Sequence, residues 1–385
     1  MKVIYIFDED DRYGAAKAGC ELILEMKKNG ISPVVLTSLA NGINKFCNEE
    51  GIENYVTHHR KFTYAKTTSK MNNLIKWLPR YIRYIIGNMR ALKIIKNSIN
   101  MSQIDLIHTN NSGIYLGILL QKKYRIPHII HLREFGVGEK NFNVHTYIKN
   151  YIKIFNTNTN KFISISDAVK RFWIDKGLNK EKIVRIYDGV RFEDVETKKE
   201  YISDDKLKII MLGSISYGKG QIDLIEAINT LDEAIKKNIV VDIIGDGYPE
   251  EEDVLKTNIE KYNLKNIVNI KKYDSNIRKK ICNYDLGVVC SKAEGFGRVT
   301  IEYLAAGICV IASNKGANEE IIKNGLNGYI YNGERINNLK KVIADLYNNR
   351  YKIKKVAENA NKDLNKYSIE KNVDEIIKLY KELKK

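Results

Sequence analysis

The sequence lacks any uninterrupted apolar run that approaches the ~18 residues of a membrane-spanning helix. Its first seven residues carry a single lysine ahead of an apolar run, and four acidic residues follow directly. A secretory signal would place its cations first and its apolar segment later. We therefore expect a cytoplasmic protein.

Cysteine is scarce, and its spacing excludes two common uses. The five cysteines are scattered along 385 residues without a C-x-x-C pair: Cys20, Cys47, Cys282, Cys290 and Cys309. An odd, dispersed set argues against a disulfide framework and against a zinc site. We expect reduced thiols that lie mostly in the core. No group of histidines and aspartates stands out as a metal site either, so we predict no metal requirement.

Acidic residues are absent from residues 54–104, although the whole chain carries a formal net charge of +17. From Pro79 onward this segment predicts a helix, with Tyr81, Ile85, Met89 and Leu92 at helical spacing. A basic amphipathic helix can lie on an anionic bilayer. It can equally pack its apolar side on a sheet and leave its cations in water. The candidate membrane contacts are Arg80, Arg83, Arg90 and Lys93.

The length suits two domains. Residues 2–7, 14–28 and 32–37 read as strand, helix and strand, which is the start of a βαβ unit. Residues 105–110, 127–132, 161–164 and 182–187 read as further strands. The charged stretch 191–205 has no apolar periodicity and is predicted as a linker. Because ligands bind beyond the carboxyl ends of strands in open α/β sheets, His131 stands where chemistry is expected. A buried, hydrogen-bonded histidine is the simpler alternative.

The second domain is predicted to begin with the strand 207–212. A glycine-punctuated loop, Gly213–Gly220, follows it, and Lys219 stands at the entrance of the next helix. Such a loop suits a phosphate, to which Lys219 could offer a charge-assisted hydrogen bond of roughly 1.5–3 kcal/mol. The alternative is a lysine in water at a helix start.

Residues 288–312 read as strand, loop, helix and strand. Glu294 stands before the glycines of the loop, and Glu302 lies inside the helix that begins near Arg298. Gly295 and Gly297 lack a Cβ and would let a ligand approach the backbone closely. The free N–H groups of the helix start suit a phosphate. The alternative is a plain crossover with two glutamates in water.

The spacing from Glu294 to Glu302 resembles the E-x7-E element of retaining glycosyltransferases of family 4, which have the GT-B fold. The resemblance implies that Glu294 contacts the transferred sugar and that Glu302 binds the ribose. It also implies that Gly295, Phe296 and Gly297, with the helix start, hold the diphosphate.

Other stretches resemble the same family. The Gly213–Gly220 loop is similar to its G-R-x-x-x-K-G element, although Ser214 replaces the arginine. Gly14 stands where the family has a glycine pair beside the donor diphosphate; a simple turn glycine is the alternative. The resemblance places Tyr273 near the nucleotide base and His131 near the transferred sugar. The family usually has Asn-Gly-Val where this chain has Asp188-Gly-Val.

The implied fold class is α/β, of the GT-B type: two facing Rossmann-like domains with an interdomain cleft and a C-terminal helix that crosses back to the N-terminal domain. Residues 1–190, with the helix 368–385, would form the acceptor-binding domain. Residues 206–367 would form the nucleotide-sugar-binding domain.

The implied activity is retaining transfer of a hexose or N-acetylhexosamine from a nucleoside-diphosphate sugar, expected to be UDP-linked. The expected acceptor is a lipid-linked glycan or cell-surface polysaccharide, with the enzyme peripheral on the inner face of the cell membrane. No cofactor is expected besides the donor substrate. Lys219 and the helix start would stabilise the departing diphosphate most strongly in the transition state.

Two other classes stay open on the sequence. A nucleotide-sugar 2-epimerase of GT-B type would consume the donor without an acceptor. A basic nucleic-acid-binding protein would fit the net charge, but it would need base-stacking or groove-reading motifs, and none stands out. We therefore expect no nucleic-acid partner.

Overall fold

The computed structural model describes residues 1–8, 14–40, 42–65, 70–136, 142–145, 148–201 and 206–384, without the side chains of residues 64–65, 70–75 and 142–143. The chain divides into two compact units. The first comprises Met1–Gly189 and Ile369–Lys385, and the second comprises Val190–Ser368. Residues 9–13, between the predicted strand 2–7 and the predicted helix 14–28, lie outside the described residues.

The first unit is built on a parallel sheet in the order β3-β2-β1-β5-β6-β8-β9. A short antiparallel pair, β4 with β7, lies apart from it. The strands are β1 (Lys2–Phe7), β2 (Ser32–Thr37), β3 (Glu53–Val56), β4 (Thr63–Ala65), β5 (Leu106–Thr109), β6 (His128–Leu132), β7 (Phe142–Val144), β8 (Lys161–Ser164) and β9 (Ile183–Arg185).

Helices cover both faces of this sheet, which explains why its strands are apolar without alternation. Along β1, Val3 and Tyr5 join one buried cluster, whereas Ile4 and Ile6 join another. The helices of this part of the chain are α1 (Gly14–Lys28), α2 (Gly42–Glu49), α3 (Lys70–Ser98), α4 (Leu116–Tyr124), α5 (Ile148–Asn158) and α6 (Asp167–Asp175).

Helix α3 differs from its predicted form. It begins at Lys70 and carries Pro79 inside it, so the prediction of a start at Pro79 was wrong. Proline removes one N–H from the hydrogen-bond ladder and often marks a helix start, but here the helix continues through it. The side that packs on the sheet carries Ala91 and Ile95. Met89, by contrast, is 65% exposed.

The second unit contains a parallel sheet in the order β12-β11-β10-β13-β14-β15. Its strands are β10 (Leu207–Leu212), β11 (Ile239–Ile244), β12 (Val268–Lys271), β13 (Leu286–Val289), β14 (Cys309–Ser313) and β15 (Tyr329–Tyr331). Its helices are α7 (Gln221–Asn229), α8 (Glu233–Lys237), α9 (Pro249–Lys261), α10 (Ile277–Lys280), α11 (Arg298–Ala305), α12 (Asn318–Ile321), α13 (Ile336–Asn348) and α14 (Tyr351–Ala360).

The segment predicted as a linker, 191–205, is described by the structure up to residue 201, and this described part packs on the second unit. Lys198 Nζ donates to the Tyr284 carbonyl at 2.9 Å and pairs with Asp285 Oδ1 at 3.1 Å. Thr197 Oγ1 donates to the Ala305 carbonyl at 3.3 Å. These contacts are polar, and polar contacts produce no hydrophobic periodicity in a sequence. The packing of this segment could therefore not be predicted from the sequence pattern.

The last helix, α15 (Ile369–Lys384), belongs to the first unit. Val373, Ile376 and Tyr380 are buried in the same cluster as Val3 and Tyr5 of β1. The predicted return of the C-terminal helix to the N-terminal domain is confirmed.

Gly287 in β13 shows how tightly the second sheet is packed. A Cβ at this position would lie 2.3 Å from the ring of Tyr303, which is fully buried and accepts a hydrogen bond from the Leu212 amide at 2.7 Å. We expect Gly287→Ala to destabilise the protein by about 1–3 kcal/mol, the usual cost of overpacking.

Thermal unfolding would measure this effect. Gly218→Ala is the matched control, because its Cβ would meet nothing within 4 Å. Equal unfolding midpoints for the two variants would contradict this account of the packing.

Candidate active site

Loops from the carboxyl ends of neighbouring strands meet at one edge of the second sheet. A Cβ on Gly245, after β11, would lie 2.0 Å from the carbonyl oxygen of Gly213, after β10. A Cβ on Gly316, after β14, would lie 2.0 Å from the carbonyl oxygen of Glu294, after β13. Glycine at these positions lets the backbones touch, so the loops form one surface.

The loop after β13 leads directly into α11. Gly297 has a left-handed φ of +89° and is the N-cap, so it brings no side chain to cap the helix. A buried bond from Thr300 Oγ1 to Asn318 Oδ1, at 2.8 Å, fixes the first turn from the side. Backbone N–H groups at such a helix start are positioned to bind an anion.

Lys219 and Glu294 come together at this edge. Lys219 Nζ lies 3.1 Å from Glu294 Oε2, and the Gly297 amide donates to Glu294 Oε1 at 3.2 Å. Burial raises the pKa of Glu294, but the cation of Lys219 and the hydrogen bonds to the carboxylate outweigh it, so the net pKa lies below its ordinary value. The carboxylate is therefore charged at neutral pH.

Glu302 lies in α11, eight residues after Glu294, and is 7% exposed. Arg278 of α10 donates from Nε to Glu302 Oε1 at 2.9 Å, and its Nη2 lies at the same distance from that oxygen. Arg298 Nε lies 3.5 Å from Oε1 as well. These guanidinium contacts all end on one carboxylate oxygen.

The other predicted donor contacts take different positions in the second unit. Ser214 is exposed, and its carbonyl accepts from Gln221 Nε2 at 2.9 Å. Tyr273 is 47% exposed beyond the end of β12. Phe296 is buried, with its ring centroid 6.0 Å from that of Tyr367. Its side chain therefore packs inside the unit, which leaves its backbone as the group that could meet a donor.

His131 is the last but one residue of β6 in the first unit and is fully buried. Its Nδ1 lies 3.1 Å from His108 Nε2 and 3.4 Å from Arg133 Nη2. Its Nε2 has no hydrogen-bond partner in the described structure. Burial, with the charge of Arg133 and the neighbouring His108, holds the pKa of His131 well below 6.5. The imidazole is therefore neutral and keeps one nitrogen available.

Gly14, also in the first unit, is the exposed first residue of α1. A Cβ there would meet nothing within 4 Å. Packing in the described structure therefore does not require glycine at this position. That a ligand approaches the backbone of Gly14 closely remains a prediction.

Sequence reasoning missed two arginines that hold these side chains. Arg278 precedes Glu302 by 24 residues, and no local pattern links them. Arg133 donates from Nη1 to both oxygens of Asp188, while its Nε donates to Asn110 Oδ1 at 2.9 Å. The sequence offered one signal for the role of Arg133. Asp188 stands where the family usually has asparagine, and a buried aspartate needs a cation as its partner.

Within the described residues, no helix has the length and apolarity of a membrane span, and no three or more His, Cys, Asp or Glu side chains cluster as ligands of a metal ion would. All five cysteines are free, and Cys282 alone among them is not buried.

The chain thus has two α/β units, each built on a parallel sheet, and the second carries a glycine loop, Lys219 and Glu294 at one sheet edge, as expected for a GT-B glycosyltransferase. Comparison with known proteins agrees. The model of Glycosyltransferase Family 4 matches residues 14–194, and that of Glycosyl transferases group 1 matches residues 192–363. The chain belongs to this family of glycosyltransferases and has the GT-B fold.

Individual relatives agree with this assignment. An uncharacterized glycosyltransferase of Methanocaldococcus jannaschii is 34% identical over 311 residues, which cover 79% of this chain and 82% of the relative. A UDP-Gal:alpha-D-GlcNAc-diphosphoundecaprenol alpha-1,3-galactosyltransferase of Escherichia coli is 23% identical and covers 88% of each chain. The crystal structure of Anabaena HepE in complex with UDP superposes with a TM-score of 0.81 at 19% identity, over 99% of this chain and 100% of HepE.

The pairing of Lys219 with Glu294 predicts a pH-dependent stability. Glu294 has a lowered pKa, so its contribution is present above its unfolded pKa and is lost as the pH falls through the folded value. We expect Lys219→Ala to be destabilised relative to wild type most at neutral pH, and progressively less as the pH is lowered to about 3.

Thermal midpoints across this pH range would measure the difference. The same substitution in a Glu294→Gln background is the control, and there the difference should not change with pH. A difference that varies equally in both backgrounds would show that Lys219 does not act through Glu294.

Proposed function

We propose that this chain transfers a hexose or N-acetylhexosamine from a UDP-sugar to a lipid-linked or cell-surface glycan, with retention of anomeric configuration. The observation that carries the proposal is the convergence of Lys219, Glu294 and the start of α11 at one sheet edge. A fixed cation and the backbone amides of a helix start beside a carboxylate suit a diphosphate joined to a polyhydroxylated sugar.

The relatives support the choice of donor and acceptor. Anabaena HepE has been solved with UDP and with UDP-glucose. The E. coli relative is named as a galactosyltransferase that takes UDP-Gal and a GlcNAc-diphosphoundecaprenol acceptor. These names describe those proteins, and the extension to this chain is our proposal.

The leaving diphosphate gains negative charge as the glycosidic bond breaks. Groups that stabilise this charge more strongly in the transition state than in the ground state accelerate transfer. In our proposal Lys219 and the amides at the start of α11 do so without a divalent ion, aided by the helix dipole. Glu294 holds sugar hydroxyls, Glu302 holds the ribose, and His131 steadies the sugar.

The ion pair between Lys219 and Glu294 fits a site in which both side chains change their hydrogen-bond partners when the donor binds. In the free protein each neutralises the other across 3.1 Å. When a donor binds, Lys219 turns to the diphosphate, and Glu294 accepts hydrogen bonds from sugar hydroxyls in its place. The carboxylate thus keeps its charge compensated in both states.

The first functional prediction concerns Lys219 and Glu302. Lys219→Ala removes a charge-assisted hydrogen bond worth roughly 1.5–3 kcal/mol, which corresponds to about a 10- to 150-fold loss of kcat/KM for transfer. Glu302→Ala should lose the ribose contact and raise KM for the donor. Steady-state assays with radiolabelled UDP-sugars and a glycan that the enzyme glycosylates would measure both kinetic effects.

Lys352→Ala is a suitable control, because it removes a comparable pair of a lysine with a carboxylate, Lys352 with Asp345 at 2.8 Å, that includes no residue of the proposed site. Thermal unfolding should confirm that each variant is folded. Normal turnover by folded Lys219→Ala and Glu302→Ala proteins would show that the site is misplaced.

We also propose that α3 docks the enzyme on an anionic membrane. The docking face is the apolar ridge, which we define as Leu78, Ile82, Ile85, Ile86 and Met89; all five are exposed. Their spacing places them on one side of a helix, away from the buried Ala91 and Ile95.

The charges around the apolar ridge favour lipid over a protein partner. Arg83 and Arg90 follow ridge residues directly, and Lys93 continues the helix; all three are exposed. Residues 54–104 contain no acidic side chain. Each cation near an anionic surface contributes about 1 kcal/mol of attraction. Arg80, predicted with them, is only half-exposed.

Vesicle flotation would test the docking. We expect the wild-type protein to float with anionic vesicles and far less with neutral ones. Ile82→Ser/Ile86→Ser/Met89→Ser should lose binding. Arg83→Gln/Arg90→Gln/Lys93→Gln should weaken it by on the order of a hundredfold.

Val254→Ser/Leu326→Ser provides the control, since both side chains are exposed and apolar but lie in the second unit. Equal recovery of the wild-type protein with neutral and anionic vesicles would contradict electrostatic docking. Unchanged binding by the ridge variant would exclude α3 as the contact.

A further inference from the structure

A buried hydrogen-bond network surrounds His131 in the first unit. It runs from Asp188 through Arg133 to His131, and on through His108 to Tyr380 of α15. Each of these five side chains is less than 10% exposed. Groups so deeply buried cannot exchange hydrogen bonds with solvent, so the protons must be ordered within the network.

Both histidines are neutral. Burial and the charge of Arg133 hold the pKa values of His108 and His131 well below 6.5. A neutral imidazole carries one N–H and one lone pair. Between His108 Nε2 and His131 Nδ1, 3.1 Å apart, one nitrogen must therefore donate and the other accept.

Two proton orders satisfy that contact. In the first, His131 Nδ1–H donates to His108, and His108 Nδ1–H donates to the Tyr380 hydroxyl. In the second, the Tyr380 hydroxyl donates to His108 Nδ1, and His108 Nε2–H donates to His131 Nδ1. The hydroxyl of Tyr5 lies 3.2 Å from that of Tyr380 and can serve either order.

The position of Arg133 distinguishes the two proton orders. Its Nη2 carries only hydrogens and cannot lose them, and it lies 3.4 Å from His131 Nδ1. A hydrogen on Nδ1 would face the hydrogens of the guanidinium, so the lone pair is favoured there. Asp188 fixes this orientation because it binds Nη1 through both oxygens, and Asn110 Oδ1 accepts from Nε at 2.9 Å.

We propose that the Asp188–Arg133 ion pair fixes His131 as the tautomer that carries its proton on Nε2. The buried Nε2, which has no partner in the described structure, then donates a hydrogen bond to a ligand oxygen. That the ligand is a sugar, whose hydroxyl oxygens accept such a bond, rests on the proposed function. Arg133, Asp188, His108 and Tyr380 act as positioning residues.

The proton position can be measured in the free protein. In a long-range proton–nitrogen correlation spectrum of the full chain with ¹⁵N-labelled histidine, His131 should show a protonated Nε2 and a bare Nδ1. The spectrum contains an opposite reference: His128 Nδ1 lies 3.3 Å from the Asn158 carbonyl, which can only accept, so His128 should be protonated on Nδ1. His131→Gln and His128→Gln would assign the two signals. A proton on His131 Nδ1, or an even mixture, would overturn the proposal.

Variants test the cause. Removing both charges together with Arg133→Met/Asp188→Asn should let the Nδ1-protonated form of His131 appear, whereas His128 should not change. Asp188→Asn alone removes the charge that anchors Arg133 Nη1 and should shift the population in the same direction, and it keeps the test usable if the double variant does not fold. A His131 tautomer unaffected by either change would show that the network does not set it.

A titration with UDP-glucose and with UDP separates this inference from the proposed function. We expect the His131 Nε2 signal to move with UDP-glucose and not with UDP. If both ligands bind and the signal never moves, the proposed contact with the sugar is wrong. If neither ligand binds, the proposed function fails, while the tautomer measurement still decides the inference about the network.

Discussion

The second unit is organised around one carboxylate that is only 14% exposed and must stay charged. Glu294 is held from three directions: Lys219 after β10 pairs with Oε2, the Gly297 amide binds Oε1, and its own carbonyl accepts from the Ala317 amide at 2.8 Å. Burying an uncompensated carboxylate would cost several kcal/mol. The three loops that meet at Glu294 are thereby fixed relative to one another, and the surface that they form is the proposed donor site.

Each unit also contains a buried arginine that orients an acidic or neutral partner. Arg278 holds Glu302 by a single oxygen, Oε1, so the other carboxylate oxygen takes no part in this contact. Arg133, itself anchored by Asp188, faces His131. Arginine suits both tasks because its planar fork fixes several acceptors at once and never loses its charge. Because these arginines hold their partner side chains in place before a ligand arrives, fewer side chains have to reorient when the ligand binds.

Elements with clear local signals were predictable from the sequence to within a residue or two. The segment β13, loop, α11 and β14 was predicted correctly because Gly297 and Gly307 mark the ends of α11. Prediction was wrong where a local signal misled, as with Pro79 inside α3, or where none existed. Helices α2, α5 and α14 and the strands β3, β4 and β7 were not predicted. The site residues that come from distant segments, such as Arg278 and Tyr380, could be found only once tertiary contacts were known.

The central claim of the proposal is that a lysine and the backbone amides at the start of α11, and no bound metal ion, recognise the diphosphate. Calorimetric titration of metal-depleted protein with UDP and with UMP tests it most directly, in wild type and in Lys219→Ala. The account predicts that chelator leaves UDP binding intact, that UDP binds wild type much more tightly than UMP, and that this difference largely disappears in Lys219→Ala. Equal affinities for UDP and UMP in wild type, or UDP binding that returns only with added Mg²⁺ or Mn²⁺, would contradict it.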